Sequence, residues 1–136
     1  MIASIDVGLK RIGVAISLDN SVVMPQNAIL RKNRDQASRD VDQFLLEWNV
    51  DTLVVGLPMS GSSHQEMQRR IKHFVSLLSF DKEIVYQDEY GSSFEAKELM
   101  QGNIRQKRDG KIDSIAAQII LQRYLDSQKT DHKSLD

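Results

Sequence analysis

The 136-residue sequence has no cysteine, only two prolines and no long apolar run. Without cysteine, disulfide bonds, zinc–thiolate sites and thiol catalysis are excluded. No apolar stretch approaches the roughly 20 residues that a membrane-spanning helix needs. Because Met1 also leads directly into an apolar strand pattern instead of a charged leader, we expect a cytoplasmic protein with no membrane partner.

An excess of charge of one sign is also missing. The chain has 18 Lys and Arg residues against 19 Asp and Glu residues, for a net charge of −1 at pH 7. It therefore has no overall electrostatic bias toward nucleic acid. The cations are nevertheless concentrated in three segments, 31–34, 69–72 and 105–111. Any one cluster is typical of a solvated surface, but three together leave phosphate binding open.

The hydrophobic pattern predicts the element order β-β-β-α-β-α-β-α-α. The predicted strands cover residues 2–6, 11–18, 22–30, 52–57 and 82–87, and the predicted helices cover 35–48, 64–78, 92–100 and 111–126. Three hairpin-linked strands followed by alternating helices and strands predict an α/β fold. Its mixed five-stranded sheet is antiparallel at first, then parallel, with helices on both faces. We expect a single domain over residues 1–126 and a flexible C-terminal tail over 127–136.

Several local features carry their own predictions. Pro25 is expected to end or kink the pairing of the third strand, and Ser92 with Glu95 matches a capping box. Gly8 is expected to adopt a positive φ, and Gly13 to allow close backbone approach. Met67 lies on the apolar stripe of the second helix and is expected in the core.

Four acidic residues stand at the ends of predicted elements. Asp6 ends the first strand, Asp88 and Glu89 follow the last strand, and Asp113 lies in the first turn of the last helix. Ligands of such sheets bind at the carboxyl ends of strands near a topological switch, so these acids are expected to meet there. Each also has a simpler local explanation: a turn-forming aspartate, a polar strand end, or an acid stabilised by roughly 0.3–1 kcal/mol at a helix N-terminus.

Convergent carboxylates repel one another and raise one another's pKa, and a divalent cation relieves the repulsion. Oxygen ligands without histidine or thiolate favour Mg²⁺ or Mn²⁺. Paired metals about 4 Å apart are a known device for in-line displacement at phosphorus. The sequence therefore permits a metal-dependent phosphodiesterase without requiring one.

Four segments resemble, in the same order, the motifs of the YqgF (RuvX) family. They are Asp-Val-Gly-x-Lys-Arg-Ile-Gly-Val-Ala at 6–15, Val-Val-Gly-Leu-Pro at 54–58, Asp-Glu at 88–89 and Lys-Ile-Asp-Ser-x-Ala-Ala-x-Ile-Ile-Leu at 111–121. The resemblance spans residues 2 to about 125. It implies a ribonuclease H-like fold and a nuclease that trims the 5′ end of precursor 16S ribosomal RNA. Family members have also been described as resembling Holliday junction resolvases.

Carried over by position, Asp6, Glu89 and Asp113 are the implied catalytic and metal-binding acids, with Asp88 as a further metal ligand. The candidate nucleic-acid-binding residues are cations of the first hairpin and of the third basic cluster: Lys10, Arg11, Arg105, Lys107, Arg108 and Lys111. The chain departs from the family after Asp-Glu, where Tyr90-Gly91-Ser92-Ser93 stands in place of the usual Arg-Leu-Thr-Thr. Any phosphate contact of that arginine must pass to other cations or be absent. The loop over 59–63 is also shorter than usual.

The resulting prediction is a metal-dependent nuclease that acts on structured RNA, namely precursor 16S ribosomal RNA, in ribosome biogenesis. One alternative is a DNA endonuclease on branched DNA, which needs two active sites and hence a homodimer. The other is an RNA-binding ribosome-assembly factor without catalysis. The sequence leaves open whether the protein is a monomer or a homodimer.

Overall fold

The structure, a computed structural model, describes residues 1–99 and 110–134. The strands are β1 (Ile2–Val7), β2 (Arg11–Ser17), β3 (Val23–Leu30), β4 (Thr52–Leu57) and β5 (Glu83–Asp88). The helices are α1 (Arg34–Glu47), α2 (His64–Ser76), α3 (Ser92–Leu99) and α4 (Lys111–Ser134). The predicted element order is confirmed, and apart from the end of α4 the bounds agree within two residues.

The five strands form one sheet in the order β3-β2-β1-β4-β5. β1 pairs antiparallel with β2, and β2 with β3, whereas β1–β4 and β4–β5 are parallel. The predicted mixed sheet is therefore confirmed. β1 is the central strand and the one at which the pairing changes direction, so its carboxyl end lies at the switch point where ligands of α/β sheets bind.

Helices cover both faces of this sheet, as predicted. On one face, α1 and α2 bury Val41, Leu45 and Phe74 against the sheet. On the other face, α4 buries Ile120 and Leu121 among side chains of β2 and β4. Each such fully buried side chain contributes about 1.5–3 kcal/mol, so the two helical layers fix the sheet between them.

Two buried serines tie α4 to the sheet. The Ser4 hydroxyl on β1 donates a hydrogen bond to the Ala117 carbonyl at 2.7 Å. The Val14 N–H on β2 donates to the Ser114 Oγ at 3.3 Å. Because buried polar groups are costly when unpaired, these bonds favour one position of α4 on the sheet.

The prediction for Pro25 is wrong. β3 pairs with β2 on both sides of Pro25, which stands opposite Ala15. β3 is an edge strand, where a residue that lacks an N–H is tolerated. The irregularity comes two residues later, where Asn27 and Ala28 together stand opposite Gly13 as a β-bulge.

Two predictions for residues in helices also need correction. Gly91 accepts the first hydrogen bond of α3 from the Glu95 N–H, so Ser92 lies inside the helix and not at its cap as predicted. Met67 on α2 is 45% exposed and not in the core. It is the fourth residue of α2.

α4 continues to Ser134, eight residues past the predicted end at 126. Leu125 is its last buried core residue among the α4 side chains that the structure describes, which end at residue 129. The helix continues beyond the core because neither glycine nor proline interrupts residues 111–134. Flexibility of the 127–136 tail stays a prediction.

Within the two described ranges, none of the helices combines the length and the apolar composition needed to cross a bilayer. The cytoplasmic location stays a prediction.

Candidate active site

Strand geometry directs Asp6 and Glu89 to the α4 face of the sheet. Side chains alternate between faces along a strand, and Ser4 reaches α4, so Asp6 points to that face at the end of β1. On β5, Val85 packs in the α4-side core, which puts Glu89, four residues later, on the same face. The Glu89 N–H extends the ladder by donating to the Leu57 carbonyl at 3.2 Å.

Gly13 brings Asp113 beside Asp6. Asp6 pairs with Gly13 across β1 and β2. A Cβ atom at Gly13 would overlap the backbone carbonyl of Asp113 and lie 2.9 Å from the Ser114 nitrogen. Only glycine therefore lets the first turn of α4 rest on the sheet at this point. The predicted close approach at Gly13 is confirmed.

Gly56 plays the matching role on the other side of Asp6. β4 lies between β1 and β5, and Gly56 follows Val55, the partner of Ile5, so it is level with Asp6. A Cβ atom at Gly56 would lie 2.5 Å from the Ile120 Cδ1 and 3.3 Å from the Glu89 Oε2. The missing side chain therefore leaves room over β4 for Ile120 and for the Glu89 carboxyl, which contacts Asp6. This role of Gly56 was not predicted from the sequence.

The turn after Asp6 is held by its own backbone and by one arginine. The Gly8 N–H donates to the Arg11 carbonyl at 3.0 Å, and Arg31 Nη1 donates to the Gly8 carbonyl at 2.9 Å. Gly8 does not have the predicted positive φ. Glycine is needed because a Cβ atom there would lie 2.5 Å from the Arg11 carbonyl oxygen.

The side chains of Asp6 and Glu89 are hydrogen-bonded to each other. Two carboxyl groups form such a bond only if one of them carries a proton, because a carboxylate has no donor. Burial raises the pKa of Glu89, the negative charge of Asp88 raises it further, and the hydrogen bond with Asp6 only partly offsets both effects. Any proton that the two carboxyl groups share would be displaced when a divalent cation binds.

All four predicted metal-binding acids line one cavity of about 360 Å³, here called the acidic cavity. None of the described residues that line it is lysine or arginine. Exposed side chains of Tyr90 and Phe94 form part of its rim.

The carboxylate oxygens of the acidic cavity suit a hard divalent cation, and the contact between Asp6 and Glu89 brings two of them together. Over residues 1–99 and 110–134, however, no three Asp, Glu or His side chains already stand close enough to share one ion. Two ligands are thus assembled, and Asp88 and Asp113 line the same cavity without completing the set.

Arg123 on α4 holds the loop that carries Glu89. Its Nη1 donates to the Tyr90 carbonyl at 2.8 Å and to the Asp88 carbonyl at 3.4 Å. Its Nη2 donates to Glu95 Oε1 at 2.7 Å. This residue was not predicted from the sequence, and no local signal indicates it, because its partners are 28–35 residues away in the chain.

Of the six predicted nucleic-acid-binding cations, the three that the structure describes do not line the acidic cavity. Lys10 is exposed in the β1–β2 turn, Arg11 is half-buried at the start of β2, and Lys111 is exposed at the start of α4. The remaining three, Arg105, Lys107 and Arg108, lie outside the described residues. Nucleic-acid binding by these six cations stays a prediction.

Similar sequences cover nearly the whole chain. A family model described as "RuvX: Holliday junction resolvase" matches residues 1–127. A protein of Sulfurovum sp. is 69% identical over 124 residues, which are 91% of this chain and 97% of that protein. A protein of Campylobacter lari is 50% identical over 121 residues, 89% of this chain and 94% of that protein. Both are named "Putative pre-16S rRNA nuclease".

Solved structures share the fold at low sequence identity. The fowlpox virus Holliday junction resolvase superposes with a TM-score of 0.55 at 14% identity, covering 93% of this chain and 98% of that one. Thermus thermophilus RuvC, in complex with a Holliday junction substrate, gives a TM-score of 0.53 at 13% identity, covering 94% of each chain. These likenesses confirm the predicted ribonuclease H-like fold. Together with the family match over residues 1–127, the relatives establish that the chain belongs to the RuvX (YqgF) family.

Proposed function

We propose that this protein is a divalent-metal-dependent nuclease that trims the 5′ end of precursor 16S ribosomal RNA. The observation that carries the proposal is the hydrogen-bonded Asp6–Glu89 pair in a cavity that Asp88 and Asp113 also line. A partly buried acid with a raised pKa, such as Glu89, is typical of functional sites. The substrate comes from the name that the relatives carry.

Asp6, Glu89 and Asp113 are the proposed catalytic acids and metal ligands, with Asp88 beside them. A bound Mg²⁺ or Mn²⁺ would supply positive charge to the scissile phosphate and would lower the pKa of a nearby water. The chain's own contribution is placement. Gly13 and Gly56 admit the neighbouring acids on either side of Asp6, and Arg123 holds the loop that carries Glu89.

The test is cleavage of a precursor 16S transcript with a 5′ extension, with Mg²⁺, with Mn²⁺ and with EDTA. We expect wild-type protein to remove the extension only when a divalent ion is present. Asp6→Asn and Glu89→Gln should each lower the rate at least about 100-fold, because several kcal/mol of charge stabilisation depend on the metal. The matched control is Asp51→Asn, which makes the same chemical change at the opposite end of the sheet.

Two results would overturn the proposal. One is cleavage by Asp6→Asn at the wild-type rate. The other is tight RNA binding, unchanged by EDTA and without turnover under any metal, which would favour the RNA-binding assembly factor.

A second candidate is an endonuclease on branched DNA, and the description of the matching family model favours it. A synthetic four-way junction offered beside the RNA distinguishes the two substrates. Paired cuts in opposite strands need two active sites, so this candidate also requires a homodimer, which light scattering at the assay concentration would detect. A monomer that cuts only the RNA would exclude it.

A further inference from the structure

A second and larger cavity adjoins the acidic cavity. It has a volume of about 720 Å³ and lies between the β1–β2 turn, the segment that leads into α1, and α2. Val7, Gly8 and Met67 line both cavities and form their common wall. The two cavities are therefore direct neighbours on the protein.

The charge of this second cavity is opposite to that of the first. Four of its lining residues are cations, and none of the described lining residues is acidic; the cations are Arg31, Lys32, Arg34 and Arg70. In the sequence these cations belong to two separate clusters, 31–34 and 69–72. The fold places those clusters on opposite walls of one groove, which we call the basic groove.

The groove's cations differ in how freely they can reach a ligand. Lys32 and Arg34 are exposed. The Arg70 side chain is 62% exposed and pairs with Glu66, one turn earlier on α2, at 2.8 Å. A surface pair of this kind is worth well under about 1 kcal/mol, so Arg70 can exchange Glu66 for a phosphate at little cost.

Arg31 has a structural role in the same groove. Its guanidinium lies 5.2 Å from the centre of the Phe74 ring and bonds the Gly8 carbonyl. Burial, with a smaller effect from Arg34, lowers the pKa of Arg31, but a guanidinium remains charged in proteins. Arg31 thus fixes the wall between the two cavities and adds positive charge to the groove.

We propose that the basic groove binds the phosphate backbone of the nucleic acid strand that leads away from the acidic cavity. The inference rests on the proposed nuclease function. Phosphate contacts by Lys and Arg supply most of the affinity for nucleic acid, and a cavity lined by four acids repels phosphate until a cation is bound. The groove next to it supplies the attraction that the cleavage site lacks.

The experiment compares two double variants in an Asp6→Asn background, which prevents cleavage during binding. Arg34→Gln with Arg70→Gln removes two groove cations. Arg39→Gln with Arg69→Gln removes two exposed cations from the same two helices that do not line the groove. The probes are single-stranded RNA and DNA 20-mers of one sequence, followed by fluorescence anisotropy in EDTA between 50 and 200 mM salt.

We expect the groove variant to bind both probes roughly 25-fold more weakly at 0.1 M salt. Its log–log salt slope should fall by about 1.4, at about 0.7 per lost phosphate contact on a single strand. The control variant should stay within about twofold of its parent. Equal weakening by both double variants would overturn the proposal, since only total charge would matter, and so would a loss confined to one probe. Thermal melting of each variant checks that it is folded.

The two proposals fail separately. If the groove variant binds normally while cleavage still needs Asp6, the groove proposal falls and the nuclease proposal stands. If binding depends on the groove but no RNA is cut with any metal, the groove stands and the nuclease proposal falls.

Discussion

Acidic residues at the two ends of the three parallel strands have opposite electrostatic environments. At the amino ends, Asp51 accepts a hydrogen bond from the Met1 ammonium at 2.9 Å and lies 3.6 Å from the Lys82 Nζ. The hydrogen bond and the charge of the ammonium hold the pKa of Asp51 below its ordinary range. At the carboxyl ends, burial and the charge of Asp88 raise the pKa of Glu89, which contacts Asp6.

The difference separates a structural use of charge from a functional one. At the amino ends the chain balances its own acid with its own cations on an exposed surface, which stabilises the fold only slightly. At the carboxyl ends it brings acids together, and Arg123, which holds the loop that carries Glu89, is directed to backbone carbonyls and Glu95. The carboxyl ends are where we propose that a cation from solution binds, because perturbed pKa values cluster at functional sites.

Gly13→Ala should have the largest effect, because it disrupts the packing of α4 at the carboxyl ends of the strands, where the acids meet. The new methyl group would overlap the Asp113 carbonyl, so α4 must shift or the helix start must unwind. We expect a loss of about 3 kcal/mol in the free energy of unfolding, measured by urea denaturation. Cleavage should also be lost at temperatures where the variant is folded, because Asp113 leaves the cavity.

Gly61→Ala is the control for that change. Nothing lies within 4 Å of a Cβ atom at Gly61, but its φ is +100°. The substitution should therefore cost only the backbone strain, about 1–2 kcal/mol, and leave cleavage unchanged. If Gly13→Ala is no more destabilising than Gly61→Ala, α4 does not need the contact at Gly13.

Arg123→Gln tests how the loop at the carboxyl ends is held. Loss of the bonds to the Asp88 and Tyr90 carbonyls should loosen Glu89 and lower kcat about tenfold, with KM little changed, which corresponds to about 1.4 kcal/mol. Arg123→Lys should recover part of the rate. Glu95→Gln, which removes the ion pair but keeps the backbone bonds, should change kcat less than twofold. An equal loss in Glu95→Gln would mean that the ion pair matters and the loop bonds do not.

A pH series in EDTA should give the smallest effects and the sharpest contrast between the ends. Because folding raises the pKa of Glu89, the protonated side chain stabilises the folded state at pH values below its ordinary pKa of 4.5. This contribution to stability is lost as the pH rises through the folded-state pKa. Glu89→Gln should therefore become more stable than wild type as the pH rises toward 8.

The contribution of Asp51 to stability changes with pH in the opposite direction. Its folded pKa is lowered, so its contribution is present above its ordinary value of 3.8 and is lost as pH falls through the folded pKa. Asp51→Asn should be slightly less stable than wild type at pH 7 and equal to it in acid, as measured by urea denaturation at each pH. The comparison between the ends fails if both variants shift stability in the same direction at pH 8.

Local pattern was enough for most of the fold and for the location of the acids. Alternating and continuous apolar runs give the strands their bounds within two residues, and the positions of Asp6, Asp88, Glu89 and Asp113 at element ends pointed to one site. The wrong predictions concern residues whose environment depends on neighbours that are distant in the sequence. Pro25 is tolerated because β3 is an edge strand, and Met67 is exposed because it borders a groove.

Sequence by itself determined the type of sheet, the family and which acids stand at strand ends, because these follow from hydrophobic periodicity and from residues close together in the chain. Only the tertiary structure decided how the acids meet. Gly13 and Gly56 leave space on either side of Asp6, so that Asp113 enters from one side and Glu89 from the other. It also decided that Arg123 holds the Glu89 loop and that two basic clusters line one groove. Such contacts join residues 28 or more positions apart, and packing alone brings them together.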